Sequence, residues 1–419
     1  MIKMESKKVM VLGAGRGQIP IMEILHQYGY QVIAASVQGN YPGFKIADQV
    51  LYVNVADKEN ILKYALKEEI CAIITDQLDE GVLTAAYVSE KMGLRGIGYE
   101  VAKKFTNKKI MRDEAQKAGI QVPFSICVDN MQDAIDGICN ENRLGFPLMI
   151  KPVDSSASRG VYKVCDRKEL ENVFEKSKAY SNSGKVIIEE YIRGKEYVID
   201  AYTREKQTVN LIVGHRDYFK INGTYIPSAT VFIDALSAAS ELEMRLKWIN
   251  KKLVESFGLP FGITHAEYLY DEETDKIYLV EIAARGGGEF ISSELIPAAC
   301  GVNANELLVM EAVGMDEKKD IKLKNGAAAY YCYLLPEGTI NKIEGIERIN
   351  EMPGVRKAFF DNIALGMNTK QIVDKSSRKG PILVQGKNKE ECYEIINEAK
   401  KKLTIEIVGN DGCYGAIWS

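Results

Sequence analysis

Over the first hundred residues, short apolar runs alternate with stretches whose apolar positions recur every three or four residues. KKVMVLG, YQVIAAS, ADQVLYV and CAIIT read as buried strands, whereas IPIMEILHQYG, closing at Gly29, and KENILKYALKEE have helical spacing. That alternation predicts a parallel sheet with helices on its faces. Near residue 105 the pattern changes. TNKKIMRDEAQKAGI predicts a helix with Asn107 near its start and Gly119 at its end. FPLMIKP, VYKVC, KVIIEEYI and KEYVIDAY follow as strands separated by Gly- and Ser-rich turns, a mainly antiparallel α+β unit. ALSAASELEMRLKWINKKLVESFG predicts a long helix ahead of the strand pair THAEYLY and KIYLVEIAA. From about residue 319 the chain is strand-rich again (AAAYYCYLL, VRKAFFD, GPILVQG) and carries the helix KEECYEIINEAKKKL. The expected fold class is α/β followed by α+β, in three domains: 1–105, 106–318 and 319–419.

Composition narrows the function classes. The 419 residues hold 54 Lys+Arg against 58 Asp+Glu, a net charge of −4, with 46% hydrophobic residues. Such a balance supports packed cores and lacks the basic surface that non-specific nucleic-acid binding needs. No apolar run is long enough to span a bilayer and no leader pattern precedes VMVLG, so a cytoplasmic protein without a membrane partner is expected. Eight scattered cysteines without a Cys-x-x-Cys pair point to a reducing compartment, and three histidines (His26, His215, His265) are too few for a multi-histidine metal site.

The candidate chemistry begins at GAGRGQ, where Gly13, Gly15 and Gly17 follow the first strand. A dinucleotide fingerprint would place its third glycine at Gln18 and an acidic residue after the second strand; neither is present, and a close helix–strand turn explains the glycines as well. In FPLMIKPVDSSASRGVYKV, Lys151 ends an apolar strand and a loop of small residues from Ser155 through Ser156 and Ser158 to Gly160 follows. A hairpin of this kind can fold over phosphates, or be a plain polar turn. VIIEEYIRGKEYVID places Glu189 and Glu190 at a strand end and Glu196 at the next strand start, suited to an adenine edge and a ribose.

The strand pair THAEYLYDEETDKIYLVEIAARGGGE is more telling. A turn centred on DEETDK sets Glu267 and Glu281 opposite each other within about one residue, with His265 on the Glu267 face. Opposed carboxylates in an apolar hairpin repel, and a hard cation such as Mg²⁺ between them reverses the sign. The alternatives are a solvent-facing glutamate, or neutralisation by Arg285.

These elements, in this order, resemble the ATP-grasp superfamily over nearly the whole chain. The resemblance implies an ATP-grasp fold with an N-terminal Rossmann-like domain and a strand-rich C-terminal domain. It implies that Lys108 and Lys151 contact ATP phosphates under the Ser155–Gly160 loop. Glu189 (main-chain carbonyl) and Ile192 (main-chain N–H) would meet adenine, with Glu190 in the same segment, and Glu196 would hold the ribose. Glu267 and Glu281 would bind one or two Mg²⁺, or Mn²⁺, and Arg285 would face the transferred phosphoryl group. Two positions depart from the family pattern: Ala283 stands where many relatives have Asn as a further metal ligand, and Asn107 where Asp is usual, leaving open which of Lys108 and Lys109 points inward.

The C-terminal third, AAAYYCYLLPEGTINKIEGIERINEMPGVRKAFF onward, resembles that of the L-amino-acid ligases. The implied activity is ATP-dependent ligation of a small-molecule carboxylate to an amine through an acyl phosphate, with His265 or His215 to deprotonate the amine. A homodimer is implied by analogy with relatives. An ATP-grasp carboxylase or purine-pathway ligase, and a non-catalytic ATP-binding regulator, are the competing expectations.

Overall fold

The computed structural model describes residues 7–156, 158–221, 224–288, 290–315, 320–373 and 375–419. Two compact units are present: residues 1–210, 245–290 and 304–319 form the first, and 211–244, 291–303 and 320–419 the second. The domain boundary expected at 318 and 319, and Ala157 of the serine loop, lie outside the described residues.

The first unit opens with a parallel sheet of β1 (Lys8–Leu12), β2 (Gln31–Ser36), β3 (Gln49–Tyr52) and β4 (Ala72–Ile74), in the order β3-β2-β1-β4. Alternate residues of β1 serve opposite faces, as strand geometry requires. Val9 and Val11 pack with Ile21 and Leu25 of α1 (Ile19–Gln27), while Met10 and Leu12 pack with Ile61 and Ala65 of α2 (Lys58–Glu68) and Val88 of α3 (Asp79–Met92). The glycine turn after β1 is filled from within. Gly13 sits at φ +94°, where the Gln18 side chain would be 2.9 Å from an added Cβ, and Gln18 Oε1 accepts the Gly15 N–H.

A short helix, α4 (Tyr99–Thr106), leads through Asn107 into α5 (Lys108–Lys117). The Asn107 side chain accepts the Ile110 N–H as an N-cap, and Gly119 ends the segment at φ +70°. An antiparallel sheet follows, ordered β5 (Ser125–Val128), β8 (Val186–Glu190), β6 (Leu148–Pro152), β7 (Tyr162–Val164). Helices Met131–Asn140 and Arg167–Lys178 close its apolar face through Ala134, Leu170 and Phe174. A third antiparallel set, β9 (Lys195–Arg204), β12 (Gly262–Asp271) and β13 (Lys276–Ala283), has β12 in the middle.

The long helix before β12 begins at Glu241 rather than at the expected Ala235. Ser240 Oγ accepts the Glu243 N–H and Glu243 Oε2 accepts the Ser240 N–H, a capping box, while Asp234 Oδ1 holds the N–H groups of Leu236 and Ser237 in a turn. Capping chemistry overrides the helical spacing of ALSAAS.

The second unit contains β10 (Gln207–Ile221, from Leu211), β11 (Thr224–Asp234), β14 (Ala327–Tyr333), β16 (Val355–Ala358) and β18 (Lys379–Gly386), paired in the order β10-β11-β14-β18-β16. A second antiparallel sheet has the order β17 (Asn368–Thr369), β15 (Gly338–Glu344), β19 (Thr404–Gly409), β20 (Gly412–Gly415). All eight cysteines are free thiols. No helix among the described residues is long and apolar enough to cross a membrane.

Asp76, fully buried just after β4, ties three distant segments of the first unit together. Its carboxylate accepts the Gly286 N–H at 2.6 Å and Asn305 Nδ2 at 2.9 Å, and its carbonyl accepts Gln18 Nε2 at 2.5 Å. Asp76→Ala leaves two buried donors unpaired, so we expect a stability loss of about 3 kcal/mol, read by urea unfolding. A loss below ~1 kcal/mol would show that Asp76 does not hold these segments together.

Candidate active site

The site is built on α5, whose buried face is charged. Lys108, Met111, Arg112 and Ala115 face inward, with Lys108 and Arg112 stacked one turn apart. The Lys108 N–H donates to the Val153 carbonyl, fixing the helix start beside the end of β6. Its ammonium bridges two elements, donating to the Ser155 carbonyl at 2.7 Å and pairing with Glu281 Oε1 at 2.9 Å. Lys109 points away and pairs with Asp113 on the outer face, which settles which lysine faces inward.

Arg112, which the sequence reading missed, is the deepest cation. It donates through Nε to Glu189 Oε1 at 2.8 Å and through Nη2 to the Val280 carbonyl at 2.7 Å. Lys151 approaches the other oxygen of Glu189 at 2.6 Å. Burial alone would raise the Glu189 carboxyl, but the charges and hydrogen bonds of Arg112 and Lys151 more than reverse this and hold it at about 2.

The main chain of Glu189 lies inside the sheet, opposite Ser125 on one side and Met149 on the other. The Glu190 N–H donates to the carbonyl of Phe124, just before β5, so the preceding carbonyl, that of Glu189, is directed at β6. An adenine contact through the Glu189 carbonyl therefore does not fit this ladder. Glu190, the last residue of β8, still pairs with Leu148; its side chain accepts the Phe124 N–H and an Arg143 guanidinium N–H, and the chain continues through half-buried Ile192 to Glu196 on β9.

Glu267 and Glu281 are direct cross-strand partners. Tyr268 pairs with Leu279, so Val280 is the extra residue of a β-bulge, and its carbonyl is the one Arg112 takes. His265, nearly buried, lies 3.0 Å through Nδ1 from Asp200 Oδ1 and 3.6 Å through Nε2 from Glu267 Oε1. Burial disfavours its charged form, yet Asp200 and Glu267 outweigh that and raise it to about 9. An imidazolium bonded to Asp200 and within ion-pair reach of Glu267 is the reverse of what a base for an amine needs. His215, the other histidine considered for that role, lies in the second unit, bonded to the Tyr393 hydroxyl at 3.0 Å. Ala283 is buried opposite His265 and offers no ligand atom.

Arg285 forms a two-pronged pair with Asp79, at 3.0 and 2.9 Å, in the first turn of α3. The next residue, Glu80, accepts Arg159 of the serine loop at 2.5 Å. Arg159 also contacts Ser156, through its carbonyl at 3.3 Å and its hydroxyl at 3.4 Å, and Ser158 and Gly160 both adopt positive φ, giving the loop its tight path. Ser155, Ser156, Asn107 and Glu281 line one wall of a cavity of about 640 Å³. The structure thus gathers Lys108, Ser155, Glu281, Glu267, His265 and Arg285 about one region of the first unit, with Lys151 on Glu189 beside it. Arg112, Asp79, Glu80 and Asp200 were not anticipated; the acidic TDQLDE after β4 and the aspartate inside the apolar run KEYVIDAY were the available signals.

Residues 144–294 match the model of the ATP-grasp domain. Those residues form an ATP-grasp domain. Residues 332–408 match L-amino acid ligase C-terminal domain 2. An L-arginine-specific L-amino acid ligase of Bacillus subtilis is 24% identical over 327 residues, 74% of this chain and 75% of that protein. A formate-dependent phosphoribosylglycinamide formyltransferase of Thioalkalivibrio sulfidiphilus is 24% identical over 96% of this chain and 97% of its own. Among solved structures, an L-amino acid ligase from Bacillus licheniformis superposes with a TM-score of 0.78 at 20% identity, covering 96% of this chain and 98% of that one. The expected ATP-grasp architecture and the likeness of the C-terminal third to the L-amino-acid ligases are thereby established.

Two expectations follow for this ATP-grasp domain. Arg112→Met strands a buried carboxylate with one partner and should cost about 3–5 kcal/mol in urea unfolding. Glu189 is depressed below its usual value of 4.5 to about 2, so its contribution to stability is complete above pH 4.5 and lost as pH falls through 2. Stability measured against pH should fall across that window, and Glu189→Gln should flatten that part of the curve; an unchanged slope would refute the assignment.

Proposed function

We propose that the protein is an ATP- and Mg²⁺-dependent carboxylate–amine ligase that joins two amino acids, or an amino acid and another small amine. The observation that carries this reading is Lys108 bridging Glu281 and the Ser155 carbonyl, with Glu267 directly opposite and the Arg285 guanidinium nearby. A phosphoryl-transfer site needs this inventory of cations, paired carboxylates and a small-residue loop. The L-amino acid ligase type of C-terminal domain supports an amino acid as one substrate.

In this reading a substrate carboxylate oxygen attacks the γ-phosphorus of ATP and the bond to the bridging oxygen breaks, releasing ADP and leaving an acyl phosphate. The amine nitrogen then attacks the acyl carbon, the carbon–oxygen bond breaks, phosphate departs and the ammonium proton passes to solvent or phosphate. No protein nucleophile is required. Lys108 and Lys151 would move from their carboxylates onto phosphate oxygens, the Ser155–Gly160 loop would exclude water, and Arg285 would leave Asp79 to stabilise charge on the transferred group. The adenine would lie along 190–192, with Glu196 toward the ribose.

Glu267 and Glu281 suit a hard cation: both are partly exposed, opposed across a bulge, and each faces a cation at rest. Among the described residues no three His, Cys, Asp or Glu side chains converge as a metal cluster, so the pair would hold Mg²⁺ together with phosphate oxygens. The metal would neutralise charge on the phosphates. A second reading, transfer of a small carboxylate such as formate to a nucleotide amine, is favoured by the near full-length similarity to the formyltransferase.

ADP and phosphate release from Mg-ATP should appear with particular amino-acid pairs, together with a condensed product identified by mass. Glu281→Ala should abolish it at least about a hundredfold, and Arg285→Met should lower kcat by a similar factor with little change in the KM for ATP. Turnover with formate or bicarbonate and a ribonucleotide amine, and none with amino acids, would replace this reading with the second.

A further inference from the structure

The cavity beside the metal hairpin has a second wall, and its charge balance differs from the first. Asp79 and Glu80 line it, but each is already matched by an arginine. Lys58 is not. Its ammonium donates to the Tyr99 hydroxyl at 2.9 Å and lies 4.5 and 4.7 Å from the ring centroids of Tyr87 and Tyr99, which meet edge to face. It forms no ion pair with a carboxylate among the described residues, and the adjacent Glu59 is engaged by the Tyr87 hydroxyl at 2.8 Å. Lys103 sits 4.7 Å from the same Tyr99 ring, and its one ion-pair partner, Glu100, is 80% exposed, so that pair is weak.

Position adds to chemistry. Lys58 is the first residue of α2, after the Asp57 cap, where the helix dipole disfavours a cation and favours an anion. Two tyrosine rings hold the ammonium in place, so little of its freedom is left to lose on binding. The wall formed by Lys58, Tyr99 and Lys103 faces a space whose other side holds Asn107, Ser155 and Glu281.

We propose that the substrate whose carboxylate is activated carries a second anionic group, a side-chain carboxylate or a phosphate, held by Lys58 and the Tyr99 hydroxyl with Lys103 beside them. The inference rests on the ligase reading and names its substrate class: acidic or phosphorylated amino acids rather than neutral or basic ones. The reacting carboxylate would lie toward Glu281 and the second anion toward α2.

The test uses the full-length protein with Mg-ATP and compares isosteric partners. L-glutamate is set against L-glutamine, and O-phospho-L-serine against L-serine, each offered with a panel of amino-acid amines. The anionic member of one pair should be preferred at least about tenfold in kcat/KM, and which pair responds separates carboxylate from phosphate. Lys58→Met should raise the KM for that member by about ten- to a hundredfold, the value of a hydrogen bond to a charged group. The preference should collapse toward one, and Lys58→Arg should restore most of it. Tyr99→Phe, which keeps the ring, should give a smaller change in the same direction.

Preference for the neutral members, or equal losses on both members in Lys58→Met, would overturn the proposal. So would a change confined to the KM for ATP, which would assign Lys58 to the nucleotide phosphates. If no carboxylate elicits ADP release although Mg-ATP binds, the ligase reading fails by itself. The anion site is then read by calorimetric titration of L-glutamate and L-glutamine into wild type and Lys58→Met. Charge-dependent binding lost in the variant supports the site; its absence in wild type overturns it.

Discussion

The buried pair of Arg112 and Glu189 is the constraint on which the site depends. Removing a guanidinium and a carboxylate from water is costly, and the pair is tolerable only with nearly all its hydrogen-bonding groups engaged. Arg112 reaches that state by donating to Glu189 on β8 and to Val280 on β13. It therefore fixes α5 against β8 and β13 at once. The helical repeat then sets Lys108, one turn earlier on the same face, against Glu281. The Val280 bulge lies at the same place, since the residue that breaks the β12–β13 register beside the Glu267–Glu281 pair is the one whose carbonyl Arg112 takes.

A second regularity is that the functional charges are stored against one another. Lys151 rests on Glu189, Lys108 on Glu281, Arg285 on Asp79, Arg159 on Glu80, and His265 lies between Asp200 and Glu267. Each cation that a polyphosphate would attract is held in place by a carboxylate. In the ligase reading, binding Mg-ATP would be an exchange of partners, with Lys108, Lys151 and Arg285 passing from carboxylates to phosphate oxygens and Glu267 and Glu281 left to hold the metal. The net change in buried charge is small, so the site can be preorganised without an unpaired ion in the resting protein.

Much of this was legible in the sequence, for physical reasons that also mark where legibility ended. The parallel strands, the Asn107-capped helix and the opposed glutamates followed from apolar period, cap chemistry and strand alternation. The partners of the charges did not. Arg112 lies on a helix whose buried face is cationic, so hydrophobic period assigns that face to solvent. Asp79 and Asp200 matter only because α3 and β9 carry them to Arg285 and His265, 206 and 65 residues away along the chain. The β10–β11 hairpin was missed because polar residues such as Arg216, Asp217 and Lys220 break the apolar runs by which strands were read. The early start assigned to the helix before β12 shows the opposite error, where spacing was satisfied but Ser240 decided the boundary.

In the ligase reading, the β12–β13 hairpin would hold its metal with fewer protein oxygens. With Ala283 where many relatives place an amide, the strand offers two carboxylates and no third oxygen. The neighbouring position across the ladder is His265, anchored by Asp200 and directed at Glu267. A ligand held in one orientation loses less freedom on binding a metal, which offsets part of the missing donor. Two carboxylates remain a sparse set for a cation that prefers six oxygens. In the ligase reading, phosphate oxygens must then complete the shell, so metal affinity in this chain depends on nucleotide more steeply than where the amide is present. Coupling of that kind keeps the pair of glutamates on its protein cations until both components of the substrate complex arrive together.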